Sequence, residues 1–455
     1  MPTQINPATG EEGKSFPELD DAAIDAALDK AQAAYRDWRV SDHDTRTELL
    51  NKIADCYDAE RDRLASIVTF EMGKPIKQAR GEIEKCAKGF RFYAKFGPAM
   101  LKPVERNLDG GGRSIAHWLP QGPVLAIMPW NYPFWQVVRF LAPTIMAGNV
   151  GLLKHASSTP ESAAALEEIV LKAGGPEGLF QNLHISSSKV SGIIADDRVV
   201  AVTITGSEGA GIKVAEAAGH NLKKVVLELG GSDPFIVMPS ADIDKAAETA
   251  AWARLQNAGQ SCIAAKRMIV HEDVYDRFLE KFVERTKNIR IGDPTDENTE
   301  MGPLSSEGAR DDICEQLEKA VAAGATRLCG GKIPDRPGAW MEPAILVDIP
   351  EGAAVTKQEF FGPVAMVFKV RDLDEAIHLA NDVPFGLGSS VWTSDDAERE
   401  RFVRDIEAGM TAVNQMLASD PYAPFGGVKR SGHGRELSQF GLHEFMNLKS
   451  EMRTD

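Results

Sequence analysis

At 455 residues, 43% of them apolar, the chain can bury two or three domain cores, and a formal net charge of -16 argues against the basic surface that nucleic-acid binding requires. Its five cysteines, Cys56, Cys86, Cys262, Cys314 and Cys329, include no CxxC pair and are odd in number, so neither a disulfide framework nor a metal site is signalled. The opening Met1-Pro2-Thr3-Gln4-Ile5-Asn6-Pro7 lacks the basic-then-apolar pattern of a secretion signal, so the expected compartment is a reducing cytoplasm.

Asp20-Asp21 precede Ile24, Ala27, Leu28, Ala31, Tyr35 and Trp38 at helical spacing, and a second helical stretch runs from about Thr45 to Gly73-Lys74-Pro75. Ile83, Ala87, Phe90 and Tyr93 resume the helical pattern, which is expected to stop at Gly97-Pro98. Asn107 to Gly112 reads as a turn, and Ser114–Leu119 as a short projecting strand able to pair with another subunit. Residues 123–153 are apolar, but Pro129, Asn131, Pro133, Gln136, Arg139, Pro143 and Asn149 interrupt them, which argues for a buried strand, turn and helix and against a membrane span. Strands at Val124–Met128, Val150–Lys154, Val199–Thr205 and Lys223–Leu229 alternate with helices at Phe134–Met146, from Thr159-Pro160-Glu161, and from Glu208, as in a doubly wound α/β domain. A second α/β series begins at Pro234–Met238, with a helix over Asp242–Gln256 and a strand over Arg267–His271. The tail from Gly426 is too short for a domain and is expected to pack on the first domain or cross to a partner.

Several residues carry candidate chemistry. Cys262 follows Asn257-Ala258-Gly259-Gln260-Ser261, a small, polar loop in which a thiolate nucleophile could stand beside backbone amides; the plainer reading is a buried structural cysteine. Glu228 lies in the apolar run Val225–Leu229, where burial would raise its pKa into the range of a general base; the plainer reading is an edge-strand carboxylate facing water. Asn131, at a strand-to-helix turn beside Trp130, could donate to an oxyanion or simply cap a helix. Thr205-Gly206-Ser207 opens a helix after a strand, a phosphate-binding context without the GxGxxG spacing.

Pro129-Trp130-Asn131, Leu153-Lys154, Thr205-Gly206-Ser207, Leu227-Glu228-Leu229-Gly230-Gly231, Gly259-Gln260-Ser261-Cys262, Glu359-Phe360-Phe361-Gly362-Pro363 and Pro424-Phe425-Gly426-Gly427 occur in the order and spacing of one family. Through them nearly the whole chain resembles the NAD(P)-dependent aldehyde dehydrogenase superfamily. The resemblance implies an α/β fold with a Rossmann-like cofactor domain (1–106 and 120–228), an α/β catalytic domain (229–425), and a small β oligomerisation arm with a C-terminal strand (107–119 and 426–455). It implies that Cys262 is the nucleophile and Glu228 the base, with Asn131 and the Cys262 N–H forming the oxyanion hole. A thiohemiacetal on Cys262 would lose hydride to the nicotinamide, and the thioester would be hydrolysed to an acid. Lys154 is expected on the adenosine ribose, Gly206 and Ser207 on the diphosphate, and Glu359, with Phe361 and Trp130 beside it, on the nicotinamide ribose. Many NAD-preferring members carry an acidic residue where this chain has Ser157, so NADP is the expected cofactor and NAD a secondary one, because no carboxylate repels the 2′-phosphate.

The chain is most similar to the succinate-semialdehyde dehydrogenase branch, through Lys154-His155, Gly230 to Phe235 and Arg435 to Phe445. Arg139, in an otherwise apolar segment, and Ser419 are the expected clamp for the distal carboxylate, and the plainer role for Arg139 is an ion pair with a protein carboxylate. Several members of the branch have a second arginine six residues before the cysteine, where this chain has Gln256. A homodimer or homotetramer is implied, and a broader aldehyde range or a catalytically retired binding protein are the competing readings.

Overall fold

The computed structural model describes residues 3–454. Asp20, Asp42, Ser207 and Asp242 each accept a hydrogen bond from a first-turn backbone N–H, so four helices, Asp21–Trp38, His43–Ala59, Glu208–His220 and Ile243–Leu255, begin where a short polar side chain satisfies an orphan donor. The stretch from Thr45 to Gly73 is two helices, His43–Ala59 and Arg61–Met72, and the second ends on Gly73 in the left-handed conformation. The next helix, Ile76–Met100, runs past the expected stop at Pro98. Proline removes the N–H that would bond the Ala94 carbonyl, and Thr47 Oγ1 donates to that carbonyl at 3.3 Å.

The first sheet has the spatial order Gly432–His433, Lys224–Glu228, Ala201–Thr205, Pro123–Met128, Val150–His155, Phe180–Asn182, parallel except for the first pair. Pro123–Met128 is central; the chain builds outward on one side, then returns to build the other. That reversal leaves a crevice at the carboxyl ends of Pro123–Met128 and Ala201–Thr205, where ligands bind in open α/β sheets. The tail sends Gly432–His433 to pair with Leu227 and Glu228 at the end of Lys224–Glu228, so Glu228 is not an edge residue.

The second sheet has seven strands, in the order Thr326–Cys329, Ala344–Val347, Val364–Val370, Arg267–His271, Pro234–Val237, Gly388–Trp392, Met410–Val413. Only the outermost Thr326–Cys329 is antiparallel. The Cys262 loop enters Arg267–His271 and the Glu359 loop enters the neighbouring Val364–Val370, so both loops stand at the amino edge of this sheet. A third sheet pairs Met446–Arg453 with Arg113–Pro120, and Arg113–Pro120 with Val104–Asn107. Val104–Asn107 forms a hairpin with Arg113–Pro120 at the edge of this sheet. Within the tail, the short helix Ser438–His443 lies against the first domain: His443 Nε2 donates to the Met100 carbonyl at 2.9 Å and the ring stacks on Trp118 at 3.7 Å.

Candidate active site

Cys262 sits at the end of a loop with unusual backbone. Asn257, Ala258 and Gly259 are consecutive residues with positive φ (54°, 53° and 73°), the first two being strained for residues that carry a Cβ. Two buried cations hold the loop. Arg254 donates to the carbonyls of Gly259 (2.7 Å), Phe360 (3.2 Å) and Gly362 (2.6 Å), tying the Cys262 loop to the Glu359 loop. Lys266 donates to the carbonyls of Ser261 (2.7 Å) and Cys262 and lies 3.2 Å from Glu359 Oε1. Glu359 in turn accepts from the Gly231 N–H at 3.1 Å. Burial pushes the Cys262 thiol up to about 12 against the pull of Arg139 and Lys266, so the resting group is a neutral thiol.

Glu228 is 2% exposed, and neither carboxylate oxygen has a hydrogen-bond partner among the described residues. Burial, then the charge of Glu436, holds its carboxyl well above the usual carboxylate range, with Arg139 and Arg435 opposing. Gly426, at φ 151°, lets the Pro424-Phe425-Gly426-Gly427 turn come this close, since a Cβ there would meet Glu228 Oε1 at 2.7 Å.

Asn131 is buried in a turn held by neighbours. Its carbonyl accepts from Lys74 Nζ (3.0 Å) and Asn257 Nδ2 (2.9 Å), and its own Nδ2 donates to the Gln260 carbonyl at 3.1 Å. One Nδ2 proton is thereby committed to the Cys262 loop and one is left. Lys74 is ion-paired with Glu82, whose Oε1 accepts the backbone N–H groups of Phe134 (2.9 Å) and Trp135 (3.0 Å) at the start of the helix Trp135–Ala147. His155, kept neutral by a burial-lowered pKa of about 4, joins the Pro133 carbonyl at 2.9 Å, linking this turn to the strand that carries Lys154.

A cavity of about 540 Å³ opens on Cys262 and is also lined by Lys85, Tyr132, Trp135, Arg139, Gln256, Ser419 and Phe425. Arg139 is buried, lies 2.9 Å from Glu436 Oε2 and stacks over the Phe425 ring at 4.3 Å, so the ion pair with a protein carboxylate is formed while the residue still lines the cavity. Ser419 accepts from Lys85 Nζ (2.7 Å) and Trp135 Nε1 (2.8 Å). In the crevice of the first sheet, Lys154 is buried and makes no salt bridge among the described residues, Ser157 is exposed, and Ser207 caps the helix behind Gly206. Trp130 and Phe361 meet edge to face at 5.7 Å, bridging the two loops.

The family model for aldehyde dehydrogenases matches residues 2–450. The chain belongs to the aldehyde dehydrogenase family. It is 52% identical to a Mycobacterium avium protein named succinate-semialdehyde dehydrogenase [NADP(+)], over 98% of this chain and 95% of that one. A Mycobacterium tuberculosis protein named succinate-semialdehyde dehydrogenase [NADP(+)] 1 is 50% identical over 98% of both chains. Among solved structures, the succinic semialdehyde dehydrogenase of Streptococcus pyogenes in complex with NADP+ superposes with a TM-score of 0.98 at 39% identity, covering 100% of each chain. In this dehydrogenase the sequence assigns no role to Lys85, Lys266 or Glu436, and sets Arg254 aside as lying on a different face from Gln256. Arg254 and the pair Lys266-Arg267 did carry a signal, as cations inside or directly before apolar runs. Glu436 carried none, because only the folded tail brings it to Arg139.

Proposed function

We propose that this dehydrogenase oxidises succinate semialdehyde to succinate with NADP, and uses NAD less well. The observation that carries the reading is one cavity holding both a thiol, Cys262, and a cationic, hydroxyl-bearing wall formed by Arg139, Lys85 and Ser419. The relatives named above act on that aldehyde by name, and they cover nearly the full chain.

Cys262 gives its proton to solvent water in the cavity and its sulfur adds to the aldehyde carbon, whose C=O π pair moves onto oxygen; the remaining Asn131 amide proton and the Cys262 N–H receive that oxyanion. Lys154, Ser157, Gly206, Ser207, Trp130, Glu359 and Phe361 would hold NADP, an assignment that suits a buried lysine without an ion pair and a serine where a carboxylate would repel the 2′-phosphate. Bound there, the nicotinamide supplies the hydride acceptor. Glu228, unpartnered and raised, takes the proton of the water that cleaves the thioester on Cys262.

A second reading, an aldehyde dehydrogenase of broader range, is favoured by one observation: Arg139 already has a carboxylate partner in Glu436. Steady-state kcat/KM for succinate semialdehyde and for butanal, each with NADP and NAD, separates the two. Preference for the acid-bearing aldehyde, lost in Arg139→Ala without loss on butanal, supports the first; equal rates support the second. The arm is read as the contact of a cytoplasmic homodimer or homotetramer, supported by Leu448 (54% exposed) and Met452 (71%) on its outer strand, and sedimentation velocity tests it.

A further inference from the structure

We propose that Lys85 is the second cation that recognises the distal carboxylate of the substrate, acting together with the Ser419 hydroxyl; this rests on the acid-bearing aldehyde reading above. Lys85 lies on the helix Ile76–Met100, half-buried in the wall of the cavity that holds Cys262. Its Nζ donates to Ser419 Oγ at 2.7 Å and stands 4.6 Å from the centre of the Trp135 ring. Trp135 Nε1 donates to the same oxygen at 2.8 Å. A hydroxyl has two acceptor lone pairs and one O–H, so with both lone pairs engaged Ser419 has only its O–H to give. The group that fits an ammonium and an outward hydroxyl side by side is an anionic oxygen acceptor.

The distribution of charge agrees. Of the cations that line the cavity, Arg139 is paired with Glu436 and Arg290 with Glu300, and Lys77 is exposed, which leaves Lys85 as the half-buried one without a salt bridge among the described residues. The groups that face it are Glu82 and Cys86 on its own helix, Arg139 on Trp135–Ala147 and Asp420 on the loop beyond Ser419. Glu82 is committed to Lys74 and two backbone N–H groups, and Asp420 to Lys88 and the Tyr422 N–H. Gln256, where several members of this branch have a second arginine, lines the same cavity, and among the described residues its amide reaches Met416 Sδ at 3.8 Å and no oxygen or nitrogen. The charge that position 256 lacks is thus supplied from position 85. Burial, then the repulsion of Arg139, lowers the Lys85 pKa to about 8, so the free enzyme gives up this charge in mild alkali.

The test is steady-state kinetics of wild type, Lys85→Met and Lys85→Arg at saturating NADP, on succinate semialdehyde and on butanal, from pH 6.5 to 9.5. In Lys85→Met the KM for succinate semialdehyde should rise about tenfold or more, the effect of losing one charge-assisted hydrogen bond, with kcat little changed. Butanal kinetics should not move, and Lys85→Arg should recover most of the loss. The wild-type ratio of kcat/KM for the two aldehydes should fall as pH rises through about 8, and Lys85→Met should flatten it. If Lys85→Met does not fold, Lys85→Gln carries the same comparison. Wild-type preference for succinate semialdehyde that survives in the variant, or an equal loss on both aldehydes, overturns the role of Lys85 and leaves the substrate assignment standing. A wild type with no preference overturns both.

Discussion

Two buried glutamates on either side of the active site are treated in opposite ways. Glu82 is fully occupied, with Lys74 on one oxygen and the Phe134 and Trp135 N–H groups on the other. Glu228 is as deeply buried, and no group among the described residues hydrogen-bonds either of its oxygens. A buried carboxylate is costly unless paired, so Glu82 reads as architecture holding the Asn131 turn and Glu228 as a group kept ready to take a proton.

The sharpest way to break the contrast is at Cys262, the proposed nucleophile. Cys262→Ala should lower kcat by about 10⁴-fold or more and leave the melting temperature nearly unchanged, read by NADPH formation and calorimetry. Glu228→Gln should lower kcat by about 10² to 10⁴-fold, with a stoichiometric NADPH burst preserved because only thioester cleavage needs the base. Its stability should equal or exceed wild type. With the folded carboxyl raised, wild-type stability is greatest below the unfolded carboxyl range and declines as pH rises through the folded value; Glu228→Gln removes that decline in denaturant titrations at different pH. Glu82→Gln should do the reverse, costing about 3 to 5 kcal/mol in urea unfolding because Lys74 is left buried without its partner. The smallest expected effect is in the crevice of the first sheet. Ser157→Glu should raise the KM for NADP about tenfold and leave NAD nearly unaffected, since only the 2′-phosphate meets the new charge.

The order of the elements was legible because burial imposes periodicity: the apolar runs at Val124–Met128 and Val199–Thr205, alternating with helical patterns, read as strands of a covered parallel sheet, and capping residues mark the starts of the helices between them. Pro98 misled because a lost backbone hydrogen bond can be replaced from another helix, here by Thr47. Family motifs named Cys262, Glu228 and Asn131 as candidates, yet not the cations that hold them. Arg254 and Lys266 bond mainly backbone carbonyls, and carbonyls have no sequence signature.

What the sequence determined by itself was the family, the two α/β units with their arm, and the residue types available for thiol chemistry, because these follow from local pattern and motif order. The tertiary structure alone decided how charge is distributed among them. It joined Arg139 to Glu436, left Glu228 without a partner, and set Lys85 beside Ser419 in the wall of the Cys262 cavity. Each of those outcomes depends on which side chains distant in the chain share one low-dielectric space, and electrostatics there is set by three-dimensional distance and burial, not by separation along the sequence.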